Sequence, residues 1–159
     1  MAVTVRRVEA ADLEYLREHE ARPELGLVDE LFAAQEAGDL IFAVAIDDGT
    51  PVGTAVLDLK SEEIPPELRN MWVYPHARRR GAGRALSSWL EDQAREANYD
   101  AVFLAVDPNN EKAVPLYVSL EYHPTGEHIF VEEHTEQQVE EGVEASTHYA
   151  IYKKSLTAR

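Results

Sequence analysis

Residues 68–106 constrain this chain more than any other segment. Residues 68–73 read as a strand that stops at Pro75, and residues 84–97 as an amphipathic helix with Leu86, Trp89, Leu90, Ala94 and Ala97 on one stripe. Residues 101–106 are an unbroken apolar run, the pattern of a strand buried on both faces in parallel pairing. Strand, helix and strand then form a βαβ unit with a right-handed crossover. Its first loop must lie where a strand ends and a helix begins.

That loop reads Val73-Tyr74-Pro75-His76-Ala77-Arg78-Arg79-Arg80-Gly81-Ala82-Gly83-Arg84-Ala85-Leu86. A helix N-terminus offers unpaired backbone N–H groups and partial positive charge, which together suit an anion. Gly81 and Gly83 let a phosphate approach the backbone, and arginine adds planar donor forks. The loop thus reads as a pyrophosphate cradle for a nucleotide-bearing cofactor. It lacks the G-x-x-x-x-G-K-[ST] of a P-loop, and Leu86 breaks the dinucleotide pattern G-x-G-x-x-G. The competing reading is a basic surface or nucleic-acid loop.

Charge weighs against nucleic acid. The 159 residues carry 15 Lys and Arg against 30 Asp and Glu, a formal net charge of −15 that repels polyanions and anionic membranes. Cysteine is absent, which excludes disulfides, thiolate metal sites and an acyl-cysteine intermediate. The six histidines show no metal-ligand spacing, so no metal is implied. The longest apolar run, residues 40–46, is too short for a membrane helix, and the N-terminus lacks an apolar signal core. A cytoplasmic protein with a single domain over residues 1–159 is expected.

Elsewhere, residues 3–8 read as a strand, 10–20 as a helix broken by Pro23, and 27–37 as a helix stopped by Gly38. Its face comprises Leu27, Val28, Leu31, Phe32 and Gln35. Residues 40–46 and 51–60 form a hairpin around Asp47-Asp48-Gly49-Thr50. Asp107-Pro108-Asn109-Asn110 is expected to cap a helix reaching Leu120. Residues 122–131 and 147–154 complete the strands, flanking an acidic stretch over residues 132–146.

Two motifs, V-x-P-x-x-R-x-x-G-x-G-x-x-L at the cradle and N-x-x-A-x-x-L-Y over residues 110–117, resemble those of the GNAT superfamily of acyl-CoA-dependent N-acyltransferases. The element order resembles that family along most of the chain. The resemblance implies an α/β (α+β) fold: a mixed, twisted, mostly antiparallel sheet of about seven strands. Helices cover both faces, and the central parallel pair is splayed to admit the pantetheine arm.

It also implies acetyl-CoA as co-substrate and direct acetyl transfer to a primary amine in a ternary complex. Arg78, Arg79, Arg80, Gly81, Ala82, Gly83 and Arg84 would hold the phosphates. Met71 and Val73 would offer backbone groups to the acetyl and pantetheine portions. Asn110 would reach the same arm, and a homodimer is among the family's habits.

Tyr117 is the candidate general acid, since a neutral phenol can donate to the departing thiolate. The competing reading is a core tyrosine on a helix face. Glu67 falls where some members keep a catalytic base, with Glu62, Glu63 and Glu121 as rivals and a solvated strand-end charge as the alternative. Two departures stand out: Pro115 inside the helix, and Glu121 where the family usually has Gly. They motivate a second reading, a non-catalytic acyl-CoA-binding module. A third is an acyltransferase using a longer acyl-CoA. The acidic stretch near the acceptor wall would favour a cationic amine.

Overall fold

The computed structural model describes residues 3–78, 80–107, 113–130 and 148–156. Seven strands make one sheet: β1 (Val3–Arg7), β2 (Leu40–Asp47), β3 (Thr50–Asp58), β4 (Glu67–Val73), β5 (Ala101–Val106), β6 (His123–Phe130) and β7 (His148–Ser155). Their spatial order is β1-β2-β3-β4-β5-β7-β6. Every neighbouring pair is antiparallel except β4 and β5. The helices are α1 (Leu13–Glu18), α2 (Leu27–Glu36), α3 (Ala82–Glu96) and α4 (Ala113–Ser119).

The β2–β3 hairpin forms for the expected local reason. Asp48 and Gly49 both take positive φ, 52° and 80°, and close a two-residue turn between the paired Asp47 and Thr50. Positive φ at both central positions matches the right-handed twist of the strands. All of β2 except Ile46 is buried, so the hairpin is the centre of the core rather than its edge.

The helix expected over residues 10–20 is shorter and has two parts. A 3-10 turn, Ala10–Asp12, precedes α1, which stops at Glu18. The Asp12 carboxylate accepts the Glu9 N–H at 2.7 Å and N–H groups of Arg6 Nη1 and Nη2 at 2.7 and 2.8 Å, which ties the first turn to β1. Those bonds hold the Asp12 carboxyl below its ordinary pKa. At the other end the His19 carbonyl turns away from the helix to accept Trp72 Nε1–H at 3.3 Å. Pro23 then opens a further 3-10 turn, Pro23–Leu25.

On α2, Leu27, Val28 and Leu31 are buried as expected. Gln35 is not a passive member of that face. Its amide donates to Val8 O at 3.0 Å and accepts the Phe42 N–H at 2.8 Å, joining the helix to β2 and to the residue that follows β1. Gly38, at φ +83°, closes α2 with paired bonds from Asp39 N to Ala34 O and from Gly38 N to Gln35 O, a Schellman ending.

Two departures from simple periodicity shape the functional half. In β4, Val56 pairs with Arg69 and Thr54 with Trp72, so Ala55 alone opposes Asn70 and Met71. Such a bulge needs one residue off the extended backbone, and Asn70 supplies it at φ 54° while fully buried. Asparagine is among the few side chains that tolerate this conformation. On α3, Leu86, Leu90 and Ala94 form the expected core stripe, but Ser87 and Glu91 are buried beside them.

Candidate active site

The parallel pair opens as the resemblance implied. β4 and β5 share one register position, Glu67 beside Phe103, where Phe103 N–H donates to Pro66 O at 3.1 Å. From Leu68 onward β4 pairs with β3 alone, while β5 continues on β7. The gap is therefore closed at Glu67 and widens toward Val73. Residues 68–73 make it about 20 Å long.

The cradle stands at the wide end. After Tyr74 a 3-10 turn, Pro75–Ala77, redirects the chain into the basic loop. α3 begins at Ala82, two residues earlier than periodicity suggested, with Gly81 as its N-cap at φ +83°. Among the described residues no side chain caps that helix. The first N–H groups of α3 are thus left for water or a ligand. A Cβ on Gly81 would meet nothing within 4 Å, so the backbone faces open space. A Cβ on Gly83 would lie 3.5 Å from Met71 Sδ and 4.0 Å from Val73 Cγ2. That proximity sets the helix N-terminus against the splayed half of β4. Met71 and Val73 thus face α3, while Trp72 faces the end of α1.

The arginines divide their work. Arg78 is exposed; its Nε–H donates to Val73 O at 3.2 Å, and its guanidinium lies 5.3 Å from the Trp72 ring centroid. Part of its donor fork therefore anchors the loop. Arg80 reaches Asp47 at 3.5 Å, a long contact from a half-exposed side chain to a buried carboxylate. Arg84 is exposed on the first turn of α3. Arg79 and Asn110 lie outside the described residues, as does the whole acidic stretch over residues 132–146.

Tyr117 is buried on α4, its ring edge-on to Tyr122 with centroids 6.3 Å apart and planes at 74°. Its hydroxyl makes no hydrogen bond among the described residues. Burial pushes the phenol up to about 12, so it is neutral at physiological pH. Downstream of Pro115 the helix is regular, with Leu120 N–H donating to Leu116 O at 3.1 Å. The helix ends on Glu121 at φ 72°, with bonds from Tyr122 N to Tyr117 O and from Glu121 N to Val118 O, both 3.0 Å. Glu121 thus adopts the left-handed conformation that glycine takes most easily.

Glu67 is half-buried at the closed end of the gap, opposite Asp58 on β3. Glu62 and Glu63 are exposed on the preceding loop. Sequence reasoning missed a chain of rings next to the cradle: Tyr15 stacks on His19 at 4.1 Å, and His19 and His76 flank Tyr74 at 5.3 and 5.9 Å. The i, i+4 spacing of Tyr15 and His19 was the available signal. An open cleft lined by Arg7, Glu9, Phe32, Glu36 and Trp89, among others, shares no residue with the cradle or with Tyr117.

The splayed pair, the uncapped helix and the loop between them are the features by which to compare this chain with known proteins. The profile of the acetyltransferase (GNAT) family matches residues 5–122. The chain belongs to that family. Within 79 residues this GNAT protein is 34% identical to an IAA acetyltransferase of Azospirillum brasilense, a match spanning 50% of this chain and 52% of that relative. The matched stretch is thus about half of either protein.

Its fold is that of solved GNAT structures. An N-acetyltransferase from Staphylococcus aureus Mu50 superposes with a TM-score of 0.73 at 14% identity, covering 99% of this chain and 100% of that one. The yncA protein of Salmonella typhimurium, solved with its cofactor acetyl-CoA, gives 0.71 at 18% identity, with 100% and 96% covered. The spermidine/spermine N-acetyltransferase SpeG of Vibrio cholerae gives 0.72 at 17%, with 98% and 93% covered.

Proposed function

We propose that this protein is an acetyl-CoA-dependent N-acetyltransferase, a single domain acting in the cytoplasm on a primary amine. The observation that carries the reading is the uncapped N-terminus of α3, set beside the widening gap between β4 and β5. Unpaired N–H groups with open space before them suit a pyrophosphate, and the gap suits an extended arm. Ala82, Gly83 and Arg84 would hold the phosphates through the helix N-terminus, with Gly81 keeping the approach clear. Arg78, Arg79 and Arg80 would add charge. Met71 and Val73 would present backbone groups along the gap, and Asn110 would meet the same arm.

Acetyl-CoA, when bound, supplies the activated acetyl group. The residues of the chain then handle protons. The amine must be neutral to attack, and Glu67, at the closed end of the gap, would take its proton directly or through water. Tyr117 would hold its proton on Oη and offer it to the leaving sulfur. The burial that raises this phenol would also raise the conjugate acid of a thiolate leaving beside it, so donation stays feasible. Tyr117 would thus donate to the departing thiolate.

The acidic body and the stretch between β6 and β7 support a cationic acceptor such as a polyamine. SpeG, a protein of the same fold, is named for spermidine and spermine. A homodimer belongs to the same proposal, and nucleic acid does not. The binding-module reading loses its motive: α4 is regular below Pro115, and Glu121 fills the left-handed cap.

Calorimetric titration with acetyl-CoA tests the cradle. Saturable binding by the wild type, weakened at least about tenfold in Gly81→Asp, supports it. Absence of binding at millimolar acetyl-CoA defeats it. An amine panel including spermidine, read by thiol release, then tests transfer. Competition by longer acyl-CoAs reports chain preference.

A further inference from the structure

Behind Tyr117 lies a buried polar network that the reaction as proposed does not use. Glu91, on α3, is nearly inaccessible to solvent. Its Oε2 accepts the Tyr122 hydroxyl at 2.9 Å, and its Oε1 accepts from Lys154 Nζ on β7 at 2.9 Å. Lys154 Nζ also lies 5.9 Å from the Tyr122 ring centroid. Tyr122 is wholly buried. Residues of α3, of the α4–β6 turn and of β7 thus meet around one carboxylate.

Stability alone does not account for this arrangement. A buried ion pair offers little advantage over well-packed apolar residues of the same volume. What it supplies is one fixed geometry, because the hydroxyl, carboxylate and ammonium satisfy each other in a single arrangement. The ring so fixed is the one against which Tyr117 packs edge-on. The Tyr117 hydroxyl has no hydrogen bond among the described residues, so neighbouring rings and backbone decide where it points. Part of the backbone contribution passes through the same residue, since Tyr122 N–H bonds Tyr117 O, which also accepts from Leu120 N–H.

We infer that Glu91, with Lys154, is a positioning device: it locks the Tyr122 ring, and that ring aims the Tyr117 hydroxyl into the gap. The inference rests on Tyr117 as the donor to the leaving sulfur. Glu91 touches no reacting atom. A misaligned donor loses rate steeply with small displacement, so the effect belongs on kcat.

Two measurements test it separately from the Tyr117 reading. In protein labelled with 13C at the tyrosine Cζ carbons, the Tyr117 line is assigned by its loss in Tyr117→Phe. It should shift or broaden in both Tyr122→Phe and Glu91→Gln; an unchanged Tyr117 line in both overturns the proposal, whatever Tyr117 does in catalysis. With acetyl-CoA and the best-turned-over amine of the panel, Tyr122→Phe should lower kcat about tenfold and leave the KM for acetyl-CoA unchanged. The same substitution should cost nothing further in a Tyr117→Phe background. An equal loss in both backgrounds overturns the positioning role. Wild-type kcat in Tyr117→Phe alone removes the donor role and leaves the labelled-ring result to judge the lock. The triple variant Glu91→Leu, Tyr122→Phe, Lys154→Met keeps an apolar core of similar volume. It should retain the wild-type melting temperature and show the displaced Tyr117 line; a displaced line found only in variants that also melt early overturns the inference.

Discussion

Glu67 and Phe103 meet where β4 and β5 touch, and the two strands share no register position beyond them. The pair marks the closed end of a wedge whose open end is the uncapped start of α3. A candidate base therefore stands at one end and a candidate anion site at the other. The bulge at Asn70 lies between them.

Tyr117→Phe keeps the ring and removes only the hydroxyl. We expect kcat to fall about ten- to a hundredfold while the KM for acetyl-CoA stays within a factor of about two. Steady-state kinetics at saturating amine distinguish the outcomes. A loss confined to KM would return Tyr117 to the core.

Asn70 holds a buried left-handed position and accepts from Arg69 Nη1 at 2.7 Å. Asn70→Val loses that bond and forces a β-branched residue into positive φ, at a cost of about 2–4 kcal/mol. Asn70→Gly loses the bond and the buried side chain but is spared the strain, and should cost less. Urea unfolding of both variants ranks them, and the reverse order would argue against backbone strain.

Glu121 occupies a glycine conformation at the end of α4. Glu121→Gly relieves the left-handed strain and gives back part of the gain as unfolded-chain entropy. A net stabilisation of about 0.5–1 kcal/mol follows, raising the melting temperature by roughly 1–4 °C. Calorimetric melting measures it, and a lowered transition would show that the side chain's 4.0 Å approach to Lys154 Nζ matters more than the backbone.

Burial pushes the Tyr117 hydroxyl up to about 12, and raises Tyr74 and Tyr122 as well. Unfolding releases these phenols to ordinary values near 10. Above that pH the unfolded state binds fewer protons than the folded one, so stability declines as pH rises. The contribution from Tyr117 is intact below pH 10 and is lost between about 10 and 12, amounting to about 3 kcal/mol. Denaturant midpoints over pH 9–11 should fall, with a shallower slope in Tyr117→Phe. An identical slope in that variant would mean that this phenol ionises without cost.

The parts legible in the sequence were those whose cause is local. Asp48-Gly49 names its own turn, Gly38 names a helix end, and the run over residues 101–106 names a strand buried on both faces. The cradle was legible because loop, glycines and arginines are contiguous. The bulge at Asn70 was not, because it exists only against Ala55 of the neighbouring strand. Burial of Glu91 was hidden for a similar reason. A glutamate on an amphipathic helix reads as solvated until Tyr122 and Lys154 arrive from far along the chain. Helix starts were displaced where a tertiary bond set them, as Asp12 does for α1.

The wedge between β4 and β5 divides the sheet into two leaves, β1 to β4 and β5 to β6, with one hinge pin at Glu67 and Phe103. Hydrogen-bonding edges along the rest of the wedge are left without a neighbouring strand. A ligand arm laid between the leaves would act as a missing eighth strand, so that part of the architecture is completed by a molecule the chain does not encode. Occupancy would then slow amide exchange in both leaves together, rather than in the loop alone.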